Sequence, residues 1–597
     1  MQNGKQKPAS EPAKSGTPQT TPASETPRKK SSDSSRETIE SIVVAFVLAF
    51  LFRTFEAEAF VIPTGSMAPT LYGQHRDTVC EQCGTRFATG VDSSGTSGNE
   101  IRDGEISAGS RSQFAICANA NCRYPNNVLD REMFAGDRIL VNKFPYEFHD
   151  PERWDVVVFK FPESAKTNYI KRLVGLPGEE LKISGGDIWT RKLDEQGQGV
   201  GIFEMARKPP EKQRQIQLLV HDNDCPATKL LATGWPESWA PEEEQGTGWV
   251  ADTKARSFRV DPVTPGDDHE DWLRYTHYVP TVADWARADE GNPPRTAPKP
   301  QLVTDFYAYN NRVSVNDYRR WVDRDEGLGG ESPLWVGDLT LTCTIDVLQP
   351  GGEVILELVE GQRRYRCRID LKTGRGQLEY TPELTHSDEE WKDAGEAFDT
   401  PLNKPGTYKV SFANVDDRLC VWVDDKLAKE PLDFKEGSKY PPQFPPIRSS
   451  DADHRPVGIC ARGAKLRVSH LKIERDIYYS PEPQTMNSDQ ELFFKMHRYA
   501  DNSANDEFLM LGDNSPRSND SRLWAPPHTV ARHLLIGKAF FVYWPHAVPF
   551  LNDGRGFPVF GQYIEPRRSG SGEPPGPPIP KFSVPFYPNF GRMHRIR

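Results

Sequence analysis

The sequence predicts a mainly β protein: an antiparallel β core interrupted by insertions, one of them a β-sandwich, behind one N-terminal transmembrane helix. Three observations predict it. Residues 133–192 alternate apolar and polar side chains between Pro- and Gly-marked turns, the period of half-buried strands. Short runs of the same kind recur through 301–480 at regular spacing, as in a sandwich of two sheets. Ile39 to Phe55 is an apolar run at the short limit of a membrane span, which needs ~17–25 residues.

At 597 residues the chain has room for three or four domains, at ~150 residues each. Its net charge of −11 argues against a nucleic-acid partner. With 51 prolines and 46 glycines, long loops and linkers are expected. Nine cysteines are too few and too odd in number for a disulfide scaffold.

Residues 1–36 hold Ser, Thr, Pro, Lys and Glu with almost nothing apolar. Such a segment cannot offset its ordering entropy and reads as a disordered tail. Residues 37–56 read as the transmembrane helix. Arg28, Lys29, Lys30 and Arg36 precede it, so the tail is expected in the cytoplasm and the remainder outside. A cleavable signal peptide, with Ala57-Glu-Ala59 as its cleavage site, and a buried core helix are the competing readings.

Residues 57–192 form the first part of the core. Phe60-Val-Ile-Pro-Thr-Gly-Ser-Met-Ala-Pro-Thr-Leu71 delivers one serine, Ser66, after an apolar stretch. Pro63 and Gly65 oppose a helix there and Pro69 ends local regularity. A strand leading into a turn would expose the Ser66 hydroxyl at a rim, although most turn serines only bond nearby backbone. Residues 76–132 interrupt this part. They carry Cys80-Glu-Gln-Cys83 and Cys117-Ala-Asn-Ala-Asn-Cys122, two close pairs suited to a four-thiolate zinc ribbon with Cys80, Cys83, Cys117 and Cys122 as ligands. Two disulfides are the alternative, and an exported location would favour them. Four thiolates leave zinc no open position, so such a metal would be structural.

Strands follow at Arg138–Lys143, Asp155–Phe161 and Tyr169–Gly175, turned at Pro162 and at Pro177-Gly178. Residues 193–300 read as a Pro-rich, charged insertion without a motif. Residues 301–480 read as the β-sandwich, and Cys343, Cys367, Cys420 and Cys460 fall on its strands as buried free thiols. Residues 490–550 return to the core, with Glu507–Asp513 and Ile536–Trp544 as strands. The tail 566–597 reads as disordered.

Four blocks, in order, carry a resemblance: the Ser66 stretch; Gly136-Asp-Arg-Ile-Leu-Val-Asn-Lys-Phe144 with Trp154-Asp-Val-Val-Val-Phe-Lys-Phe-Pro162; Tyr169-Ile-Lys-Arg-Leu-Val-Gly-Leu-Pro-Gly178; and Met510-Leu-Gly-Asp-Asn-Ser-Pro-Arg-Ser-Asn-Asp-Ser-Arg522. Together they resemble the bacterial type I signal peptidases, membrane-anchored serine endopeptidases that cut signal peptides from exported preproteins after small-x-small motifs. The resemblance covers about residues 37–75, 133–192 and 490–550. It implies a retained anchor in the inner (cytoplasmic) membrane, a catalytic domain on its outer side, and preproteins and the lipid bilayer as partners.

It also implies a Ser-Lys dyad. A serine needs a base, and a lysine can serve where burial disfavours its ammonium form. Lys171, flanked by Tyr169, Ile170, Leu173 and Val174, takes that role and Ser66 is the nucleophile. Lys143 and Lys160 fall outside the family signature. The Ser66 N–H and the Thr64 hydroxyl would stabilise the oxyanion. Ser518 would orient the lysine amine, Asp520 and Arg522 form a supporting ion pair, Asp513 fix the loop and Met67 line a substrate pocket. No cofactor is needed for this chemistry; zinc in the ribbon would be structural. The block Tyr408–Asp425, with residues 457–473, also looks like a concanavalin-like (laminin-G-like) jelly roll, which leaves a glycan or protein partner open. A soluble, self-cleaving Ser-Lys protein of the repressor type fits the apolar run and the Leu-Pro-Gly block less well. A membrane-tethered binding protein on an inactive peptidase scaffold is the reading from a different class.

Overall fold

The computed structural model describes residues 38–45, 57–91, 114–128, 131, 133–242, 248–261, 269–313, 334–361, 363–381, 391–433, 449–481, 491–551, 557–560 and 580–596. The chain divides after Glu56 into two units. In the first, residues 38–45 are an exposed helix. Among the described residues no helix is long and apolar enough to cross a membrane. The tail 1–36 and residues 46–56, which hold most of the expected span, lie outside the described residues.

The second unit is built on a seven-stranded antiparallel sheet. Its order is Ala57–Val61, Arg138–Asn142, Leu535–Trp544, Val156–Phe161, Ser164–Gly175, Glu507–Leu511 and Val530–Ala531. The alternation of residues 138–142 puts Ile139 and Val141 into a core with Ile62, Met67, Leu71, Val156, Val158, Ala539 and Val542. A second sheet of four strands, Gly199–Met205, Asp187–Leu193, Glu179–Ser184 and Leu492–Met496, joins the two core segments: Glu179–Ser184 pairs with Leu492–Met496. The chain therefore leaves for its largest insertion and returns from it on the same small sheet.

That insertion folds as two sheets around one apolar core. Leu339–Gln349 shows the cause: Leu341, Cys343, Ile345 and Val347 are buried while Thr342, Thr344 and Asp346 are not, so one face of the strand is sealed against the other sheet. Leu341, Ile345, Phe412 and Ile473 meet Leu273, Leu356, Ile369 and Ile459 across the gap. Cys343, Cys367, Cys420 and Cys460 are buried free thiols.

Residues 193–300, read as a charged insertion of their own, supply strands to both sheets of the sandwich. Leu218–Asp222, Trp249–Asp252 and Ser257–Val260 belong to its nine-stranded sheet, with Leu339–Gln349, and Trp239–Pro241 and Glu270–Tyr275 to the sandwich's other sheet, of seven strands. The expected boundary at 301 thus falls inside the structure. On one of these strands, Glu270–Tyr275, Arg274 pairs with fully buried Glu357, so its covered outer face reads as polar. Val282–Asp289 is a helix started by a Thr281/Asp284 capping box. It packs Val282, Trp285 and Ala288 against the cysteines of residues 80–122.

The expected disordered tail is also corrected in part; residues 566–579 lie outside the described residues. Pro580–Val584 pairs with Phe557–Phe560, and Phe586–Pro588 with Ala547–Pro549. Beyond them Arg592 forms a 2.7 Å ion pair with buried Asp137 and lies 3.7 Å over the Tyr72 ring, and Ile596 enters the core beside Met67. These partners hold the segment in place.

Candidate active site

Ser66 occupies a 3-10 turn, Gly65–Met67, entered through extended Thr64 (φ −116°, ψ 154°). Thr64 is half-buried at the rim. Lys171 lies on Ser164–Gly175, opposite Val157 of the neighbouring strand. A 2.7 Å hydrogen bond joins Lys171 Nζ to Ser66 Oγ, and the same amine donates to Ile170 O at 3.0 Å. Only 6% of Ser66 and 3% of Lys171 are exposed. Burial pushes the Lys171 ammonium down to about 8, against the upward pull of the Asp520 and Asp513 charges. A lysine so placed exchanges its proton near neutral pH, as a general base requires. Lys143 is held instead by Glu58 at 2.6 Å, and Lys160 is exposed.

The polar loop after Glu507–Leu511 closes over the pair through two buried arginine–carboxylate forks. Arg172 Nε and Nη2 donate to the two oxygens of Asp513, each at 2.6 Å. Arg522 Nε and Nη2 donate to Asp520 at 2.8 and 2.7 Å. Burial, the largest influence, pushes the Asp520 carboxyl up; the Arg522 charge and the hydrogen bonds from Arg522 and the Gly512 N–H together outweigh it and hold the group below its ordinary value. Arg522 also reaches Ser480 O, Ser515 Oγ and Ser515 O. Gly512 is required between the forks: a Cβ there would lie 2.4 Å from Ser66 O and 2.1 Å from Ser518 Oγ.

The geometry places two more of the expected residues. The Ser518 hydroxyl is buried in the loop without a hydrogen-bond partner among the described residues, and Lys171 Nζ makes its bonds to Ser66 and Ile170. Met67 is fully buried with Ile62, Leu71 and Ile596, so its side chain belongs to the core rather than to an open pocket. Three residues were not foreseen. Arg172 could have been read from its place beside Lys171. Asn514 could have been read from Gly512-Asp-Asn514. Asn310, which bonds Asn514, had no signal.

Cys80, Cys83, Cys117 and Cys122 converge. Cys80 and Cys122 Sγ are 3.6 Å apart, Cys83 and Cys117 Sγ 3.5 Å, and all four lie within 4.8 Å of one another. Each is a free thiol; the separations exceed a disulfide bond of ~2.05 Å. They suit a tetrahedron of thiolates around one ion, whose edges are ~3.8 Å for Zn–S bonds of ~2.3 Å. Asn126 Nδ2 is directed at Cys80 Sγ and Cys83 Sγ lies 3.1 Å from Thr85 Oγ1, contacts that orient such ligands.

The family profile described as "Signal peptidase, peptidase S26" matches residues 115–234 and 457–544. These segments contain Lys171, Asp513, Ser518, Asp520 and Arg522; Ser66 precedes them. In these two segments the chain is similar to the S26 signal peptidases. Signal peptidase I of Pseudomonas fluorescens is 41% identical over 104 residues, 14% of this chain and 37% of its own. Signal peptidase I of Pseudomonas aeruginosa is 40% identical over 115 residues, 16% and 40% of the two chains. That of Leptolyngbya laminosa is 29% identical over 182 residues, 29% and 59%. The chain spans less than two thirds of the length of each of these relatives. Among solved structures, a carbohydrate-binding module, CBM66 from Bacillus subtilis, aligns with 40% of this chain and 95% of its own at 10% identity, with a TM-score of only 0.22.

Proposed function

We propose that this protein is a membrane-anchored signal peptidase that removes signal peptides from exported preproteins by a Ser-Lys dyad. The observation that carries the reading is the buried 2.7 Å contact between Ser66 Oγ and Lys171 Nζ, with the lysine brought down to about 8. Neutral Lys171 takes the Ser66 proton as Oγ attacks the carbonyl after a small-x-small motif. The Ser66 N–H and the Thr64 hydroxyl stabilise the oxyanion. The lysine returns its proton to the leaving amine, which becomes the new N-terminus of the exported protein. A water deprotonated by Lys171 then releases the signal peptide from Ser66.

The two arginine forks hold the loop around the dyad, Asp513 through Arg172 and Asp520 through Arg522. Residues 37–56 supply the anchor in the inner membrane, with the tail cytoplasmic and the catalytic unit outside. Cys80, Cys83, Cys117 and Cys122 hold a structural zinc that takes no part in the chemistry.

Cleavage of a detergent-solubilised preprotein by wild type, Ser66→Ala and Lys171→Ala tests the proposal, with product N-termini sequenced. The expected result is wild-type cutting after a small-x-small site, lost in both variants. Activity surviving Lys171→Ala refutes the dyad. A well-folded wild type that cuts nothing refutes the function.

A further inference from the structure

The loop that carries Ser66 is held from behind by a pair of asparagines, one of them from the insertion. Asn514 N donates to Ser66 O at 3.1 Å and Asn514 Nδ2 to Gly65 O at 2.9 Å. The Asn514 amide is itself fixed by Asn310. Asn310 Nδ2 donates to Asn514 Oδ1 at 2.6 Å, and Asn514 Nδ2 donates to Asn310 Oδ1 at 2.9 Å. An amide has two nearly isosteric ends, one donor and one acceptor. The reciprocal pair selects the orientation in which the Asn514 donor, and not its oxygen, faces the Gly65 carbonyl.

Asn310 is well anchored. It sits in the turn Tyr307–Asn311, where Asn310 N donates to Tyr307 O at 3.0 Å and Asn311 Nδ2 to the same oxygen at 2.8 Å. The Tyr309 ring packs closely against the nucleophile turn, since a Cβ on Gly65 would stand 2.3 Å from its Cε1. Gly90 N donates to Tyr309 O at 3.0 Å. The next residues, Arg312–Val313, pair with Phe114–Ala115, the strand that runs into Cys117. The turn is thus gripped by the ribbon on one side and by the Ser66 loop on the other.

We infer that Asn310 is a positioning residue of the insertion that, through Asn514, fixes the direction of the Ser66 N–H. In a trans peptide the carbonyl and the following N–H point opposite ways. Tethering Gly65 O to Asn514 therefore aims the Ser66 N–H away from Asn514. That N–H is one of the two oxyanion donors in the proposed mechanism, on which this inference rests. Asn310 touches neither Ser66 Oγ nor Lys171, so its loss should lower kcat while leaving substrate binding and the titration of the dyad in place.

The test uses the full-length protein in detergent and a solubilised preprotein, with Asn310→Ala, Asn310→Asp and, as a control in a sandwich turn, Asn403→Ala. Asn310→Ala should lower kcat roughly tenfold, about 1.4 kcal/mol of lost transition-state stabilisation, with KM within about twofold and the pH inflection at its wild-type position. Asn310→Asp keeps the acceptor for Asn514 Nδ2 but sets an oxygen against Asn514 Oδ1 where the amide donated at 2.6 Å, so it should not recover the lost kcat. Asn403→Ala should behave as wild type. Amide hydrogen exchange, read by mass spectrometry, gives a second readout that needs no turnover. In Asn310→Ala the peptide covering residues 62–71 should exchange faster, and the one covering residues 339–347 should not change. Wild-type exchange in 62–71 overturns the inference whatever the activity, as does a KM rise with kcat retained, or wild-type kcat in Asn310→Asp. A wild type that cuts no preprotein removes the signal-peptidase reading, and exchange in 62–71 then decides alone whether Asn310 holds the loop.

Discussion

Lys171 should cost the protein stability at the pH where it works. Its ammonium is moved by burial from an ordinary value of 10.5 to about 8. That difference corresponds to about 3 kcal/mol, at ~1.36 kcal/mol per pH unit. The folded state holds the proton less tightly than the unfolded state. Below pH 8 the lysine is charged in both, and the fold carries the full desolvation penalty. As pH rises from 8 to 10.5 the folded lysine is neutral while the unfolded one still binds a proton, so the penalty shrinks, and above 10.5 it is gone. Replacing Lys171 by Met keeps the apolar stem and removes the charge. Lys171→Met should therefore be inactive yet more stable than wild type at pH 7, by up to about 3 kcal/mol less ~1 kcal/mol for the lost bond to Ser66. Melting temperatures of both proteins between pH 7 and 10.5 measure this, and the gap should close toward the upper end. The same group sets the rate: kcat/KM of wild type should rise about tenfold per pH unit below its inflection near 8. A Met variant that is less stable at pH 7, or a gap that ignores pH, would refute the assignment of a buried, depressed lysine. An inflection near 10.5 would refute it as well.

The remaining expectations concern the supports. Asp513→Asn leaves Arg172 buried beside an uncharged amide, and breaking a buried pair of this kind costs about 3–5 kcal/mol; denaturant unfolding should show a loss of that order together with reduced turnover. Glu360 is pushed up to about 8, first by burial and then by the Asp417 charge, from an ordinary 4.5. Its ionisation opposes folding as pH rises through 8, so Glu360→Gln should gain on wild type by about 2–4 kcal/mol between pH 5 and 9; equal melting curves at pH 9 would count against it. The cysteine cluster should carry one zinc per chain by metal analysis. A content below ~0.3 would exclude it, because four-thiolate sites bind tightly. Cys117→Ser should lower the melting temperature.

What could be read beforehand was encoded locally. Pro63 and Gly65 dictate a bent backbone at Ser66, and alternating apolar residues place Lys171 on a strand between apolar neighbours. The carboxylates of the 510–522 loop had to find partners once buried, and Arg522 was close enough in sequence to be named for Asp520. Arg172 was not paired with Asp513 because 341 positions separate them. Met67 shows the limit of a local reading. An apolar residue beside a nucleophile can face a pocket or the core, and here Ile596, from the far end of the chain, helps to seal it inside. Of the sandwich strands between 218 and 275, Glu270–Tyr275 carries Arg274, which pairs with buried Glu357; the others have only three to five residues, too few to show a period.

The insertion departs and returns through one small sheet, where Glu179–Ser184 pairs with Leu492–Met496. Because this sheet fixes its two ends, its size hardly matters to the core: loop-closure entropy grows only slowly with length. On topology alone it would be removable. Its contacts say otherwise. The turn Tyr307–Asn311 packs on Gly65 and pairs with Asn514, while Arg312–Val313 closes a sheet with the strand leading to Cys117. Lys208, carried just past the exit strand, bridges Asp416 in the sandwich and Asp476 at its end, at 2.6 and 2.7 Å with all three buried. Cutting between the small sheet and the sandwich would strand an ionised partner of Lys208, so these two cannot be trimmed independently. By the inference drawn for Asn310, the insertion is part of the frame that aims Ser66: Gly65 is tied to Asn514, 449 positions along the chain, and Asn514 to Asn310, 204 positions back.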